Sequence, residues 1–377
     1  MNIAIDIRNL MENEITGVGE YTFNLLTALF ELDKSNNYFL FYNSSKNVTV
    51  PPFNFENVKL VKFSFPNKLL NLSLKVLKYP KLDKLIFRKL NVKIDLFFFP
   101  NLNFFATDCS YFITCHDLSF EIFPEFFSWK RKLWHKIINP KKLFEKAKKI
   151  IAVSSNTKSD LENIYKINPE KIYEIYSGVS EQFQKLDLSD PGRDRVRKKY
   201  HLPSKFILYL GTLEPRKNIE SLIEAFSLFK QKNQSKNIEL VIAGKPGWKY
   251  SSIFNSAKKS KHFKQIHFIN YVNNKDKVFL YNLAQCFVFP SYYEGFGFPP
   301  LEAIYCGTTT IASHTSSLPE ILGNNAIYID PYNINDIVKS FESIDTFSLK
   351  VVNRKFSWQT TAEKMLKIFI DTSINCN

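Results

Sequence analysis

Cysteine is scarce in this chain of 377 residues: Cys109, Cys115, Cys286, Cys306 and Cys376 are all there is. The count is odd and no two form a Cys-x-x-Cys pair. That argues against a disulfide framework or a zinc site and makes a reducing cytoplasm the expected compartment. No apolar run approaches the ~18 residues of a membrane span. The opening residues, MNIAIDIRNLMENE, lack a basic stretch followed by an apolar one of signal length. The expectation is a soluble protein, or one bound only to a membrane surface. No repeat of solenoid length and no low-complexity tract appears. Acids are outnumbered, 36 against 51 Lys and Arg, for a net charge of +15. Such a balance suits nucleic acid, an anionic membrane surface or a phosphorylated substrate.

What is present describes a globular α/β protein. Hydrophobic residues make up 45% and charged residues 23%, which rules out wholesale disorder. The length exceeds what one core supports, so two domains are expected. Aromatics are abundant, with 36 Phe and 18 Tyr, enough for large cores with some left for a partner. Short apolar runs alternate with amphipathic stretches. NIAIDI (2–7), YFLFY (38–42), VKLVKF (58–63), IDLFFF (94–99), YFITC (111–115), KIIAV (149–153) and KIYEIY (171–176) read as strands. A Gly-Val-Gly turn at 17–19 precedes a helix over 20–32. The stretch 177–200 is polar and contains Pro-Gly, and its middle reads as the linker. The pattern restarts with FILYLG (206–211), ELVIAG (239–244), IHFI (266–269), CFVFP (286–290), TTIAS (309–313) and AIYID (326–330). Continuous apolar strands separated by helices imply parallel sheets covered on both faces. The expected architecture is two Rossmann-like, doubly wound domains facing across a cleft, residues 1–185 and 186–356. Ligands in such sheets sit beyond the carboxyl ends of the strands.

Two stretches at such ends carry the chemistry. In PSYYEGFGFPPLEAIYCG (290–307), Glu294 and Glu302 stand eight positions apart. Pro299 and Pro300 suit the first turn of a helix, which would put Glu302 in that turn beside unpaired backbone donors. Gly295 and Gly297 let the backbone approach a ligand. Backbone N–H groups and a helix start favour an anion, while the flanking carboxylates would take hydroxyls, as in a sugar and a ribose on either side of a diphosphate. The plain structural alternative is a helix-terminal charge after a glycine turn. In GTLEPRKN (211–218), Arg216 and Lys217 sit where a helix begins. Cations there oppose the helix dipole, so they read better as a diphosphate site than as a structural feature, the alternative being a solvated pair of charges.

Together with LVIAGKPGW (240–248), SSLPEILGNNAIYIDPYN (316–333), GVGEYTFNLL (17–26), FPNLNFF (99–105), HDLSFEIFPEFF (116–127) and AVSSNTKSDL (152–161), these stretches resemble, in order, the retaining glycosyltransferases of family 4. That group is nucleotide-sugar dependent and has the GT-B fold. The likeness spans nearly the whole chain. It implies that Glu302 binds the nucleotide ribose and that Glu294 contacts the donor sugar. Gly295, Phe296 and Gly297 would offer backbone donors. Arg216 and Lys217 would stabilise the leaving diphosphate. Gly17 and Gly19 would lie near the phosphates, and His116 near the reacting carbon. Asn270-Tyr271-Val272 stands where many members have Gly-Tyr-Val, placing Val272 near the base, and Gly211-Thr212-Leu213 replaces a common Gly-Arg-Leu. The variant Glu214-Pro215-Arg216-Lys217-Asn218 resembles bacterial polysaccharide and lipopolysaccharide mannosyltransferases. GDP-mannose is therefore the first expected donor, with UDP-sugars open, and a growing, lipid-linked glycan the expected acceptor. The resemblance also implies that a C-terminal helix, 357–377, returns to the first domain.

No Asp-x-Asp lies at a strand end, so no catalytic metal and no cofactor are expected, and retention is expected through front-face attack. Residues 68–93 carry Asp83 as their one acid among many lysines, with leucines interleaved at roughly helical spacing. They read either as a solvated helix face or as a helix on an anionic membrane surface. Competing functions fare worse. A dinucleotide oxidoreductase would need Gly-x-Gly-x-x-Gly, but position 22 is Thr. No recognised nucleic-acid module is visible, so nucleic acid is not an expected partner. A non-enzymatic binding protein with a degenerate GT-B fold would not need Glu294, Glu302, Arg216 and Lys217 together.

Overall fold

In the computed structural model, residues 1–11, 17–232, 237–347 and 355–374 are described. The chain forms two compact units. The first holds residues 1–118, 129–178 and the segment from 356 onward; the second holds 119–128 and 179–355.

Each unit is built on one parallel sheet. In the first, β1 (Asn2–Asp6), β2 (Asn37–Asn43), β3 (Val58–Phe63), β4 (Leu96–Phe99), β5 (Ser110–Cys115), β6 (Lys149–Ala152) and β7 (Ile172–Glu174) run in the order β3-β2-β1-β4-β5-β6-β7. In the second, β8 (Phe206–Leu210), β9 (Glu239–Ala243), β10 (Ile266–Ile269), β11 (Cys286–Phe289), β12 (Thr310–Ser313) and β13 (Ile327–Ile329) run in the order β10-β9-β8-β11-β12-β13. The central strands are buried along their whole length, among them Ile3 to Ile5, Leu96 to Phe99, Phe206 to Tyr209 and Cys286 to Phe289. Helices cover both faces, which is why these strands read as unbroken apolar runs. Strand order reverses direction at β1/β4 and at β8/β11, and such points leave a gap between loops at the carboxyl edge.

The last helix, Trp358–Ile374, packs against the helix Gly17–Leu32 inside the first unit. Thr361 donates to the Tyr176 carbonyl at 2.8 Å, and Phe369 stacks on Phe112 at 5.7 Å. The backbone of Gly178 lies so close to this helix start that a Cβ would sit 2.2 Å from the Trp358 nitrogen. Residues 375–377 lie outside the described residues. Cys109, Cys115 and Cys286 are free thiols.

Several local expectations are corrected. Gly17 and Gly19 form no turn ahead of a helix; they lie in the first turn of Gly17–Leu32. Residues 68–93 form two helices, Asn67–Val76 and Leu82–Leu90, because the chain breaks at Lys78, whose φ is 53°, and at Pro80. The stretch 177–200 ends in the helix Pro191–Lys199, capped by Asp190, whose side chain accepts from Gly192 N–H at 2.8 Å. That helix is fastened to the helix Asn274–Leu283 through Asp276, which accepts from Arg195 (2.9 Å), Lys199 (2.6 Å) and Tyr200 (2.9 Å). Burial alone would raise the Asp276 carboxyl pKa; those three donors more than offset it and hold it below the ordinary range.

Asp276 is 1% exposed, whereas Arg195 and Lys199 are about half exposed and rehydrate easily. Asp276→Ala should therefore destabilise the protein by about 1–2 kcal/mol, read as a lower urea midpoint with unchanged slope. A change within ~0.5 kcal/mol would reduce the clamp to a set of surface ion pairs.

Candidate functional site

The β8/β11 reversal places two loops side by side. Pairing of Ile207 with Cys286 and of Leu208 with Phe287 brings Gly211 and Pro290 to the same edge. The loop after β8 is zipped to the loop after β9: Leu213 N–H donates to the Lys245 carbonyl at 3.0 Å, and Gly247 N–H to the Leu213 carbonyl at 2.9 Å. Gly244 is required for that approach, since a Cβ there would meet the Gly211 carbonyl oxygen at 1.9 Å. The chain then makes the 3-10 turn Pro215–Lys217 and passes through Asn218, left-handed at φ 57°, before the helix Ile219–Lys232 begins. Arg216 and Lys217 thus belong to the turn ahead of the helix, where the expectation had them at its N-terminus.

Their side chains converge on Glu294. Lys217 Nζ lies 2.6 Å from Glu294 Oε1 and Arg216 Nη1 lies 3.1 Å from Oε2. Arg216 Nη2 also binds Glu214 Oε1 at 3.0 Å, and Arg216 Nη1 donates to the Tyr293 carbonyl. Tyr292 N–H answers with a bond to the Arg216 carbonyl at 3.0 Å. Glu294 has its own backbone fixed: its N–H donates to Ser316 Oγ at 2.8 Å, and its carbonyl accepts from Ser317 Oγ at 2.9 Å. All four charged side chains are nearly buried, with 4–11% exposure. Burial pushes the Glu294 carboxyl pKa up, but Arg216 and Lys217 outweigh it and hold it below the usual carboxylate range. Burial, helped by Arg216, lowers the Lys217 ammonium pKa, against the pull of Glu294 and Glu214.

The remaining predicted residues of this unit have surroundings of their own. Phe296 is buried beside Phe298, at 5.0 Å between rings. Gly295 lies between Glu294 and Phe296 in the same loop. Gly297 caps the helix Phe298–Tyr305 with φ 97°, and a Cβ on it would strike Leu318 at 2.6 Å. Because the helix starts at Phe298, Glu302 falls in its second turn, not the first. It is 3% exposed and accepts from Tyr281 Oη at 2.8 Å. It is therefore no helix-terminal surface charge. Val272 is buried in the loop between β10 and the helix Asn274–Leu283.

His116, Gly17 and Gly19 belong to the first unit. His116 follows β5, and its Nε2 lies 2.8 Å from the Pro100 carbonyl, which can only accept; Nε2 therefore carries the proton. Burial lowers the ring's pKa, against the pull of Pro100 and Asp117. Its ring meets Tyr21 edge-on at 4.8 Å, which joins it to the helix that begins at Gly17. Among the described residues, nothing would lie within 4 Å of a Cβ on Gly17. Among the described residues, no cluster of three or more His, Cys, Asp or Glu is arranged to hold a metal ion.

Sequence reasoning missed four contributors. Glu214 sits two residues before Arg216 in a stretch already singled out, so its spacing was visible. Tyr281, Ser316 and Ser317 gave no local signal, since each acts on a glutamate 21 to 23 positions away.

Glu294→Gln keeps the shape and removes the charge, leaving Arg216 and Lys217 facing each other. At neutral pH this should cost about 2–4 kcal/mol of stability. A carboxyl with a lowered folded pKa stabilises the fold above its unfolded pKa, and that contribution is lost as pH falls through the folded value. The gap between wild type and variant should thus be full at pH 7 and close below the ordinary carboxylate range. Denaturation curves at a series of pH values measure it; a gap independent of pH would exclude the ion pairs as its source.

Two family models match the chain: glycosyltransferase family 4 over residues 15–183 and glycosyl transferases group 1 over residues 192–346. Among characterised relatives, the serotype-specific mannosyltransferase WbdA of Escherichia coli is 34% identical over 266 residues, 68% of this chain. The match spans only 32% of that relative's length. The O-antigen chain mannosyltransferase B of Escherichia coli is 28% identical over 267 residues, 68% of this chain and 69% of its own. Among solved structures, sucrose-phosphate synthase from Thermosynechococcus elongatus superposes with a TM-score of 0.76 at 18% identity over the whole of both chains. WaaG, described as a glycosyltransferase involved in lipopolysaccharide biosynthesis, gives 0.68 at 16% identity over 97% of this chain and 95% of its own. The fold of both units is that of the GT-B glycosyltransferases. With the two models covering most of its length, the chain belongs to the family 4, group 1 glycosyltransferases.

Proposed function

We propose that the protein is a retaining glycosyltransferase that moves a hexose, mannose from GDP-mannose in the first instance, onto a growing, lipid-linked glycan of a cell-surface polysaccharide. The observation that carries this reading is the buried Glu294 carboxylate held by Arg216 and Lys217 at the β8/β11 reversal. The mannosyltransferase names of its relatives support the choice of sugar. In the reaction, Arg216 and Lys217 neutralise the diphosphate as the anomeric C–O bond breaks. Glu294 takes sugar hydroxyls, and Glu302, oriented by Tyr281, takes the ribose. The acceptor oxygen attacks the anomeric carbon from the face the diphosphate leaves. Its proton passes to a diphosphate oxygen, so no side-chain base is needed. A neutral His116 with its proton tied to Pro100 suits a positioning role over an acid one. No step calls for a metal or a cofactor.

Thermal stabilisation by a panel of nucleotide sugars, followed by release of nucleoside diphosphate with a mannan acceptor, tests the proposal. GDP-mannose should give the largest shift. A UDP-sugar preference would replace the donor assignment, and indifference to every nucleotide sugar would refute the function. Lys217→Ala should lower kcat about 10²–10³-fold with a native circular dichroism spectrum; wild-type turnover in that variant would sink its assigned role.

A lipid-linked acceptor implies work at a membrane surface, on the cytoplasmic side if the compartment is as expected. No described helix is long and apolar enough to cross a membrane. The helices of residues 68–93 turn Leu70, Leu74, Leu82 and Ile86 inward and leave Leu69, Leu72, Val76, Leu77 and Tyr79 exposed among lysines. Lys142 and Lys146 add their charge beside Lys78. That mixture of exposed leucines and basic groups suits an anionic bilayer. The protein should float with phosphatidylglycerol vesicles at low salt, and Leu72→Glu/Val76→Glu should abolish flotation. Failure of the wild type to float would leave these helices a solvated face.

A further inference from the structure

Residues 119–128 leave the first unit after Leu118, join the second unit, and return to the first at Trp129. They form a short helix, Ser119–Ile122, and a 3-10 turn, Pro124–Phe126, with no strand pairing to hold them. A set of ring contacts ties them to the second unit. Phe126 stacks on Tyr292 at 5.2 Å with rings 19° apart, Phe123 stacks on Phe126 at 5.4 Å, and Phe123 lies against Tyr293 at 6.1 Å. Phe127 stacks on Trp248 at 5.4 Å. Two side chains then pin the strap's backbone: Trp248 Nε1 donates to the Phe126 carbonyl at 2.6 Å, and Lys249 Nζ to the Glu125 carbonyl at 2.8 Å.

The residues under the strap are the ones that grip Arg216. Tyr292 N–H binds the Arg216 carbonyl at 3.0 Å, and the Tyr293 carbonyl accepts from the Arg216 guanidinium. Glu294, the next residue, is the guanidinium's counter-charge. On the other flank, Trp248 follows Gly247, whose N–H is bonded to Leu213 in the loop that carries Arg216. The strap therefore bears on the loops either side of the Arg216 turn.

We infer that the strap Ser119–Ser128 is a positioning element for Arg216, with the Phe126–Tyr292 stack as its working contact. This rests on the glycosyltransferase reading for what Arg216 does, and on the geometry above for how it is held. Aromatic stacking suits the task because offset rings resist sliding as well as separation. The strap begins three residues after His116 in the chain, so the segment that seats Arg216 is continuous with the one that carries the first unit's candidate site residue.

Phe126 is half-buried, so Phe126→Ala leaves both cores intact. Two readouts apply: the affinity for GDP alone, by calorimetry, and steady-state turnover of the nucleotide sugar. Phe126→Ala should weaken GDP binding about tenfold and lower kcat about 10–100-fold, with KM within about threefold, as expected when a transition-state contact is misplaced. Phe126→Trp, which keeps the stack, should restore both. In the Arg216→Ala background, Phe126→Ala should add nothing further, because the group it positions is gone. Wild-type behaviour in Phe126→Ala, no recovery with tryptophan, or full additivity with Arg216→Ala would each overturn the inference. GDP binding by a wild type that turns over no nucleotide sugar would refute the transferase reading while the GDP affinities still decide the strap.

Discussion

A carboxylate cannot stay ionised in a nearly closed pocket without cations against it. Glu294 meets that condition with Arg216 on one oxygen and Lys217 on the other, and much of the second unit's upper edge is arranged to keep it so. The 3-10 turn sets consecutive side chains about 120° apart, and the long arms of Arg216 and Lys217 close that angle to meet on one carboxylate. Asn218 takes up the left-handed conformation that lets the helix start afresh, and its side chain is anchored to the Pro331 carbonyl at 2.7 Å. Glu214 supplies the second negative charge. Two cations and two carboxylates then sum to zero, so the resting pocket is balanced. In the proposed reaction these pairs exchange partners, Glu294 turning to sugar hydroxyls as the two cations turn to the diphosphate.

The sheet decides where this happens. Only at a strand-order reversal do two neighbouring parallel strands send their following helices to opposite faces, leaving the loops above them uncovered. β8 and β11 are that pair in the second unit, and each ends on the same edge because their register is fixed by buried pairing. The glycines of the loop after β9 serve the same place from the side, removing Cβ atoms where that loop presses on Gly211 and on Leu213.

These relations set how much could be read in advance. The strands were legible because burial on both faces leaves a continuous apolar run, and the paired stretches around Arg216 and Glu294 were legible because each is local in sequence. Element starts were less so. The helix bearing Glu302 begins one residue before its two prolines, which moves the glutamate into the second turn and hands it to Tyr281. No local pattern announces that partner. The basic segment 68–93 has near-helical spacing throughout, yet Pro80 and the left-handed Lys78 divide it. The end of the stretch 177–200 is polar because Pro191–Lys199 is a surface helix held through one buried aspartate, and polarity alone does not mark where such a helix begins.

The aromatic excess has a similar resolution. Much of it is internal: Phe97, Phe99, Phe105 and Tyr111 stack through the first unit's core, and Tyr209, Phe287 and Phe289 do so in the second. A smaller set lies at the carboxyl edge, where Phe123, Phe126, Tyr292 and Tyr332 form a run of ring contacts across three segments of chain. Backbone bonds already tie Tyr292 to Arg216 and the Phe126 carbonyl to Trp248. Ring stacking adds to those bonds without competing for their N–H or C=O groups, because it uses only side chains. Phe and Tyr around the Arg216 turn therefore reinforce loops whose backbone groups are spent.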